Sequence, residues 1–414
     1  MKNAALNTYV WVLRRLFLLP GPLLNLFART CLLVLGPALK KRNYWKRIEE
    51  VLKRVAVKDH PYIKLIHNIA NCNDNYWRAF AVSFILHRLT LGVSKTMSDV
   101  GRERHLEKEG VWLPSLVVIS VTSDCNLKCE KCYAEGRFEP RELEFEVIDR
   151  IITEGEASGT FMYDIVGGEP MMRASELYEL FGKHPKSCFV VITNGTLIDE
   201  HAAKMFAKLG NVLVCLSIDG FEATNDARRG DGVYQKVVGA MEFLAKERVA
   251  FSTLVTVSRQ NFDEVISDAL AELVTGHGAL GLSFNKYIPA DRKPDPEMEL
   301  STNQVAMLRI WKDHLRDNFP LYVRVGEVAE DEVAACDAAR RHVHITPSGD
   351  VEPCLFCPVS VDNIHDVSLK GAFNSLFFNR IRAYNGTCEA EIKPCMMFRD
   401  PSVGELVQSL AKGK

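Results

Sequence analysis

Three cysteines lie at CxxxCxxC spacing in Ser123-Asp124-Cys125-Asn126-Leu127-Lys128-Cys129-Glu130-Lys131-Cys132-Tyr133. Three thiolates on one short loop can hold three corners of an iron–sulfur cube. The fourth iron then lacks a protein ligand and stays open to a bound molecule, an opening that a four-cysteine site does not have. A structural zinc site is the competing reading, but zinc ordinarily takes a fourth Cys or His close by, and none follows soon after Cys132. A second set, Cys336, Cys354, Cys357, Cys388 and Cys395, lies towards the C-terminus. Eight of the twelve cysteines fall in these two groups, which reads as two ligand sets in a reducing, cytoplasmic setting and not as a disulfide framework.

Such loops need a rigid frame. The first follows the apolar run Leu116 to Val121, and five similar runs come after it: Tyr163 to Val166, Phe189 to Thr193, Val212 to Ile218, Phe251 to Val257 and Gly281 to Tyr287. Near-continuous Val, Ile and Leu suits parallel strands covered by helices, and the helical segments between the runs supply that cover. The pattern predicts an α/β fold, a partial (β/α)6 TIM-like barrel, with its site at the C-terminal ends of the strands. Those ends carry Gly167-Gly168-Glu169-Pro170, Asn194-Gly195 and Ser217-Ile218-Asp219-Gly220. Glycine lets backbone approach a ligand closely and a carboxylate pairs with an ammonium, although each element alone is an ordinary turn.

Taken in order along one barrel, these elements resemble the radical S-adenosylmethionine (SAM) superfamily, over roughly residues 112–290. The resemblance implies a [4Fe-4S] cluster on Cys125, Cys129 and Cys132, with SAM bound at its open iron. Gly167, Gly168, Glu169 and Pro170 would take the SAM amino group through backbone and the Glu169 carboxylate, and Asn194 would serve the same end. Ser217 and Asp219 would meet the ribose or the substrate, and Tyr133 would pack near the adenine. The implied chemistry is reductive cleavage of SAM to a 5'-deoxyadenosyl radical, which takes hydrogen from a substrate; a reductant such as flavodoxin or ferredoxin supplies the electron.

The C-terminal set resembles the SPASM and twitch extensions of the same superfamily. Twelve residues separate Cys336 from Gly349 and four separate Gly349 from Cys354, and His344 to Val351 reads as a hairpin with Ser-Gly-Asp at its turn. Five cysteines where a full SPASM domain has seven imply one auxiliary [4Fe-4S] cluster, on Cys336, Cys354, Cys357 and Cys395, with Cys388 as the substitute fourth ligand. A zinc knuckle on the same thiols, and ligation by His342 or His344, remain the alternatives.

The formal charge of −2 conceals an asymmetry: residues 1–56 hold eleven Lys/Arg and two Asp/Glu, about +9, so the rest carries about −11. A basic leader on an acidic body fits a localised anionic contact and not nucleic-acid binding. The leader's uncharged runs, Leu16 to Ala28 and Thr30 to Leu39, are too short to span a bilayer, and Pro20-Gly21-Pro22 is expected to break any helix. Helices lying in a membrane interface, with the basic run Lys40 to Arg47 at the headgroups, are one expectation; an apolar arm packed on the protein's own barrel is the other. The divisions expected are a helical arm at 1–56, a helical cap and linker at 57–111, the barrel at 112–300, a helical connector at 301–335 and the auxiliary-cluster domain at 336–414. The leader favours a lipid-like or membrane-associated substrate; peptide or protein maturation, and a metal-binding scaffold without catalysis, are the competing readings.

Overall fold

Each of the apolar runs becomes a strand of one sheet. The computed structural model describes residues 14–39, 52–80, 110–289, 293, 295–326, 338–387, 405 and 407–409. Strands β1 (Leu116–Ser120), β2 (Met162–Val166), β3 (Cys188–Thr193), β4 (Val212–Ser217), β5 (Phe251–Val257) and β6 (Gly281–Lys286) are parallel neighbours in that order. The sheet then extends beyond the six expected strands. β7 (Tyr322–Val325) adds a parallel strand to β6, inside the stretch read as a helical connector. At the other side β8 (His342–Ile345) pairs in parallel with β1, β9 (Asp350–Glu352) turns back antiparallel on β8, and β10 (Asp362–Asn363) ends the sheet. The expected hairpin therefore forms, but it is built into the barrel's own sheet. Its turn places Gly349 at φ +83°, where an added Cβ would lie 2.4 Å from the His365 ring.

The helices, in chain order, are α1 (Gly21–Leu39), α2 (Pro61–Ala70), α3 (Asp74–Phe80), α4 (Phe145–Ser158), α5 (Ala174–Lys183), α6 (Glu200–Leu209), α7 (Glu222–Arg229), α8 (Val233–Lys246), α9 (Phe262–Val265), α10 (Asp268–Gly276), α11 (Thr302–Asn318), α12 (Leu369–Phe373) and α13 (Leu376–Thr387). Caps fix several starts. Asp199 accepts from Ala202 N at 2.8 Å before α6, and Ser301 with Gln304 forms a capping box on α11.

The strand pleat divides the sheet's side chains between two faces. Tyr163, Ile165, Phe189, Val191, Val214 and Leu216 are at most 1% exposed and pack under the helices, with Phe181 of α5 4.4 Å from the Phe189 ring. Burying each such side chain contributes about 1.5–3 kcal/mol. The alternate residues, Asp164, Val190, Ile192 and Leu213 among them, face the other way and are partly reached by water. They line the inside of the barrel.

The N-terminal helices close one end of it. Leu24 and Ala28 of α1 are buried with Val55, Tyr62, Ile63 and Leu65, and Leu280, just before β6, packs against this group. Asn73 donates to Glu247 O at 3.3 Å in the loop that enters β5, and Asn75 Nδ2 to Ala207 O at 3.1 Å in the last turn of α6, just before β4. The arm thus packs on the base of the barrel, opposite the cysteine loop. Pro20-Gly21-Pro22 breaks the helix as expected: the helical turn at 14–17 ends in a turn at 18–20, and α1 starts afresh at Gly21 with proline in its first turn. The basic run 40–47 and most of the linker at 101–110 lie outside the described residues. Among the described residues no helix is long and apolar enough to cross a membrane.

Candidate functional site

The CxxxCxxC loop leaves the C-terminal end of β1 and is held by backbone. Ser123 N donates to Arg141 O at 2.9 Å, Gly168 N to Thr122 O and Glu169 N to Asp124 O, both at 2.8 Å. The last two bonds press the Gly167-Gly168 turn against the residues entering the loop. Gly167 sits at φ +142°, and a Cβ on Gly168 would lie 2.0 Å from Asp124 O. Both glycines are therefore required by close backbone approach as well as by conformation. On the far side Glu130 N donates to Arg228 O at 2.8 Å, and Lys131, at φ +54°, pairs with Asp295 at 3.0 Å.

Cys125 is exposed, while Cys129 and Cys132 are half-buried. Burial pushes the Cys125 thiol up, opposed by the Leu127 N–H, and pushes Cys129 up, opposed by the nearby Arg229. These thiols therefore lose their protons when a metal centre takes them as thiolates. Three such donors on one loop, two of them only half-buried, fit a cluster with one iron left for another ligand.

Asn194, at the end of β3, reaches over this loop. Its Nδ2 donates to Asn126 Oδ1 at 2.9 Å and lies 3.9 Å from Cys125 Sγ, and Asn126 donates onward to Thr196 Oγ1 at 2.8 Å. Glu169 is 1% exposed. Its carboxylate accepts from Thr193 Oγ1 and Asn194 N, both at 2.7 Å, and from Met171 N at 2.9 Å. Burial raises its pKa and these three donors oppose the rise. Three protein donors therefore already reach the carboxylate expected to meet the SAM amino group, two on Oε1 and one on Oε2. Its place in the fold is to tie the ends of β2 and β3 together.

Asp219 has a similar fate. It is 0% exposed, accepts from Thr256 N at 2.8 Å and Arg229 Nε at 2.7 Å, and also bonds Arg228. Burial alone would push its carboxyl up, but Arg229 and Arg228 together hold it below the usual carboxylate range. Asp219, expected to meet the ribose or the substrate, forms a buried bridge to Arg228 and Arg229 that brings Arg229 near Cys129. Ser217, 8% exposed, and Asn194, 7% exposed, complete the rim at the ends of β4 and β3. Tyr133 is half-buried and donates to Gly167 O at 3.0 Å. Pro170 starts a short 3-10 turn, Pro170–Arg173.

In the C-terminal set, Cys354 and Cys357 form a tight turn, with Cys357 N donating to Cys354 O at 2.9 Å and Phe356 N to Cys354 Sγ at 3.5 Å. Cys336, Cys388 and Cys395 lie outside the described residues. The two cysteine loops meet through aromatic rings: Tyr133 and Phe356 stand edge to face with centroids 6.4 Å apart. Arg137 reinforces the join, donating to Leu355 O and pairing with Glu352 at 2.5 Å. Glu352 in turn holds His344 Nδ1 at 2.6 Å, while His344 Nε2 meets Ser120 Oγ at 2.8 Å. Both His344 ring nitrogens are spent inside the protein, so His344 packs and does not ligate; His342 is half-buried on the same strand. Sequence reasoning missed Arg137, Glu352, Arg228 and Arg229. Arg137 and Glu352 had no local signal, whereas the acidic residue ending β4 and the two arginines ending α7 are a readable charge pattern.

Comparison with known proteins agrees with this geometry. The model of the Radical SAM superfamily matches residues 119–270, and that of the SPASM iron-sulfur cluster-binding domain matches residues 336–408. An AdoMet-dependent heme synthase of Oleidesulfovibrio alaskensis is 35% identical over 311 residues, 66% of this chain and 79% of that protein. The antilisterial bacteriocin subtilosin biosynthesis protein AlbA of Bacillus subtilis is 24% identical over 282 residues, 65% of this chain and 61% of that protein. Other curated relatives are matched over shorter stretches, 38% or 41% of their own length. Streptococcus suis SuiB bound to S-adenosylmethionine superposes with a TM-score of 0.59 at 17% identity, covering 78% of this chain and 83% of that one, which shows a shared fold. The chain belongs to the radical SAM superfamily and carries a C-terminal SPASM iron-sulfur domain, with [4Fe-4S] clusters and SAM as its cofactors.

Proposed function

We propose that this chain is an oxidoreductase that cleaves SAM reductively at Cys125, Cys129 and Cys132 and removes hydrogen from a substrate held inside the barrel. One observation carries the reading: the three thiols sit on the C-terminal loop of β1, tied by hydrogen bonds to Gly168, Glu169 and Asn194 at the ends of β2 and β3. With cluster and SAM bound, the chemistry supplied is one-electron cleavage of a sulfonium and hydrogen abstraction. The protein's own part is positioning. Backbone of Gly167 to Pro170 offers the SAM ammonium its acceptors while Glu169 keeps that turn in place. Asn194 holds the cysteine loop, Asp219 fixes Arg229 beside Cys129, and Tyr133 walls the site under the auxiliary loop. Cys336, Cys354, Cys357 and Cys395 hold the auxiliary cluster, and an external one-electron donor such as flavodoxin or ferredoxin supplies the reducing equivalent.

For the substrate, the reading is a lipid-like or membrane-associated molecule met at the cytoplasmic membrane face. Support comes from the outer side of α1, where Leu23, Leu26 and Phe27 are 49%, 61% and 40% exposed on a leader of eleven Lys/Arg and two Asp/Glu. Peptide maturation is the second reading, favoured by the likeness to the subtilosin biosynthesis protein. Anaerobically reconstituted protein given dithionite and SAM should yield 5'-deoxyadenosine, and should co-sediment with phosphatidylserine vesicles more than the L26E/F27E variant does. Equal sedimentation of the two proteins would remove the membrane part, and a fully iron-loaded protein making no deoxyadenosine would remove the catalytic part.

A further inference from the structure

The lumen of the barrel holds two opposite charges that the cofactor site does not use. Asp164 is on β2 and Arg324 on β7. On β7, Val323 and Val325 are buried in the core, with Val323 O accepting from Arg316 of α11 at 2.7 Å, so Arg324 lies on the opposite, lumen face, where it is exposed to solvent. Register places Arg324 beside Ser283 of β6, and Ser283 beside Leu254 of β5. On β2, Tyr163 and Ile165 lie under the helices and Asp164 between them faces inward.

The two side chains feel each other's charge across the lumen, and the thiol of Cys215 on β4 feels both. Among the described residues, neither makes a side-chain hydrogen bond or ion pair, and their charges act on each other across the open lumen. The walls around them differ in character. Met162, Val190, Ile192 and Leu213 make the β2–β4 side apolar, while the β5–β6 side is mixed, with Ser252, Ser283 and Asn285 beside Leu254.

We propose that Arg324 and Asp164 form a carboxylate-binding site inside the barrel, taking a substrate whose acid group meets Arg324 while its apolar body lies along β2–β4. A guanidinium offers a carboxylate two parallel hydrogen bonds, which fixes orientation as well as affinity. Asp164 is suited to an acidic neighbour because burial pushes it up to about 6 against the pull of Arg324. Once a ligand neutralises Arg324 that pull weakens, and the protonated carboxyl donates to the ligand in place of repelling it. The proposal rests on the barrel being the reaction chamber, and it names the chemical class of the substrate.

The test uses reconstituted holoenzyme under anaerobic conditions and two probes: decanoate, for an acyl-chain source, and protoporphyrin IX, for a macrocyclic one, each against its methyl ester. Calorimetric titration should show one acid bound and its ester rejected. R324Q should weaken that acid about 10- to 100-fold, the range set by a charge-assisted bidentate contact, and R324K should recover part of the loss. The source is the probe that binds. No binding of either acid to the wild type, equal binding of acid and ester, or equal binding to wild type and to a folded R324Q protein would overturn the proposal. Deoxyadenosine formation by the same wild-type sample is read separately, so failure of the catalytic reading is distinguishable from failure of this site.

Discussion

Replacing Gly168 by alanine should disable the site while leaving the barrel folded. The added Cβ would lie 2.0 Å from Asp124 O, 2.5 Å from Asp124 C and 2.7 Å from Ser123 O, all of them backbone atoms. An ordinary contact needs about 3.4 Å, so the gap must open by 3.4 − 2.0 = 1.4 Å at the residue directly before Cys125. A misplacement of about 1 Å in a reacting assembly costs on the order of 100-fold in rate. Gly239 in α8 is the contrast, since its Cβ would meet nothing within 4 Å. G239A should leave the rate unchanged and stabilise the helix by about 0.5–1 kcal/mol. The assay is deoxyadenosine formation per iron, with a thermal melt of each variant. A G168A protein that turns over SAM at the wild-type rate would refute the claim that this glycine is required by contact with the cysteine loop.

Other outcomes follow from the same contacts. R137A removes the donor to Leu355 O and leaves Glu352, whose side chain is 7% exposed, without its cation; it should cost about 3–5 kcal/mol, read by denaturant unfolding, and lower iron content towards that of a single cluster. Y133F deletes the bond to Gly167 O and should cost about 1–3 kcal/mol in the same unfolding experiment, by stranding a buried carbonyl. For Asp219 the folded pKa is depressed below the unfolded value of about 3.9, so its stabilisation is present above that pH and is lost as pH falls through the folded value. D219N should therefore be less stable than wild type at neutral pH, and the difference should shrink in acid; a constant difference across the pH range would contradict the bridge to Arg228 and Arg229.

The sequence made the barrel strands legible to within a residue or so because each is a dense apolar run bounded by turns; Phe251–Val257 coincides at both ends. It did not reveal β7, whose four residues hold two polar or half-polar side chains and follow a long helix, leaving little local pattern to read. Nor could it place β8 beside β1, since that pairing joins residues more than 220 apart and is set by closure of the sheet. The cysteine spacing and its position after a strand were readable from local residues. What Glu169 and Asp219 do with their oxygens was not: carboxylates at strand ends suggest ligand contacts, yet burial obliges each to find donors inside the protein. The arm shows the same limit. Its composition pointed to an interface, and the structure spends Leu24 and Ala28 on the barrel's base while Leu23, Leu26 and Phe27 face outwards.

The most direct measurement compares deoxyadenosine formation and iron content in the C125A/C129A/C132A and C354A/C357A proteins, both reconstituted anaerobically and reduced with dithionite in the presence of SAM. The first variant should make no deoxyadenosine and lack one cluster's iron, while the second should keep measurable SAM cleavage with reduced iron. Deoxyadenosine from the first variant at the wild-type rate would contradict the assignment of SAM cleavage to the loop after β1.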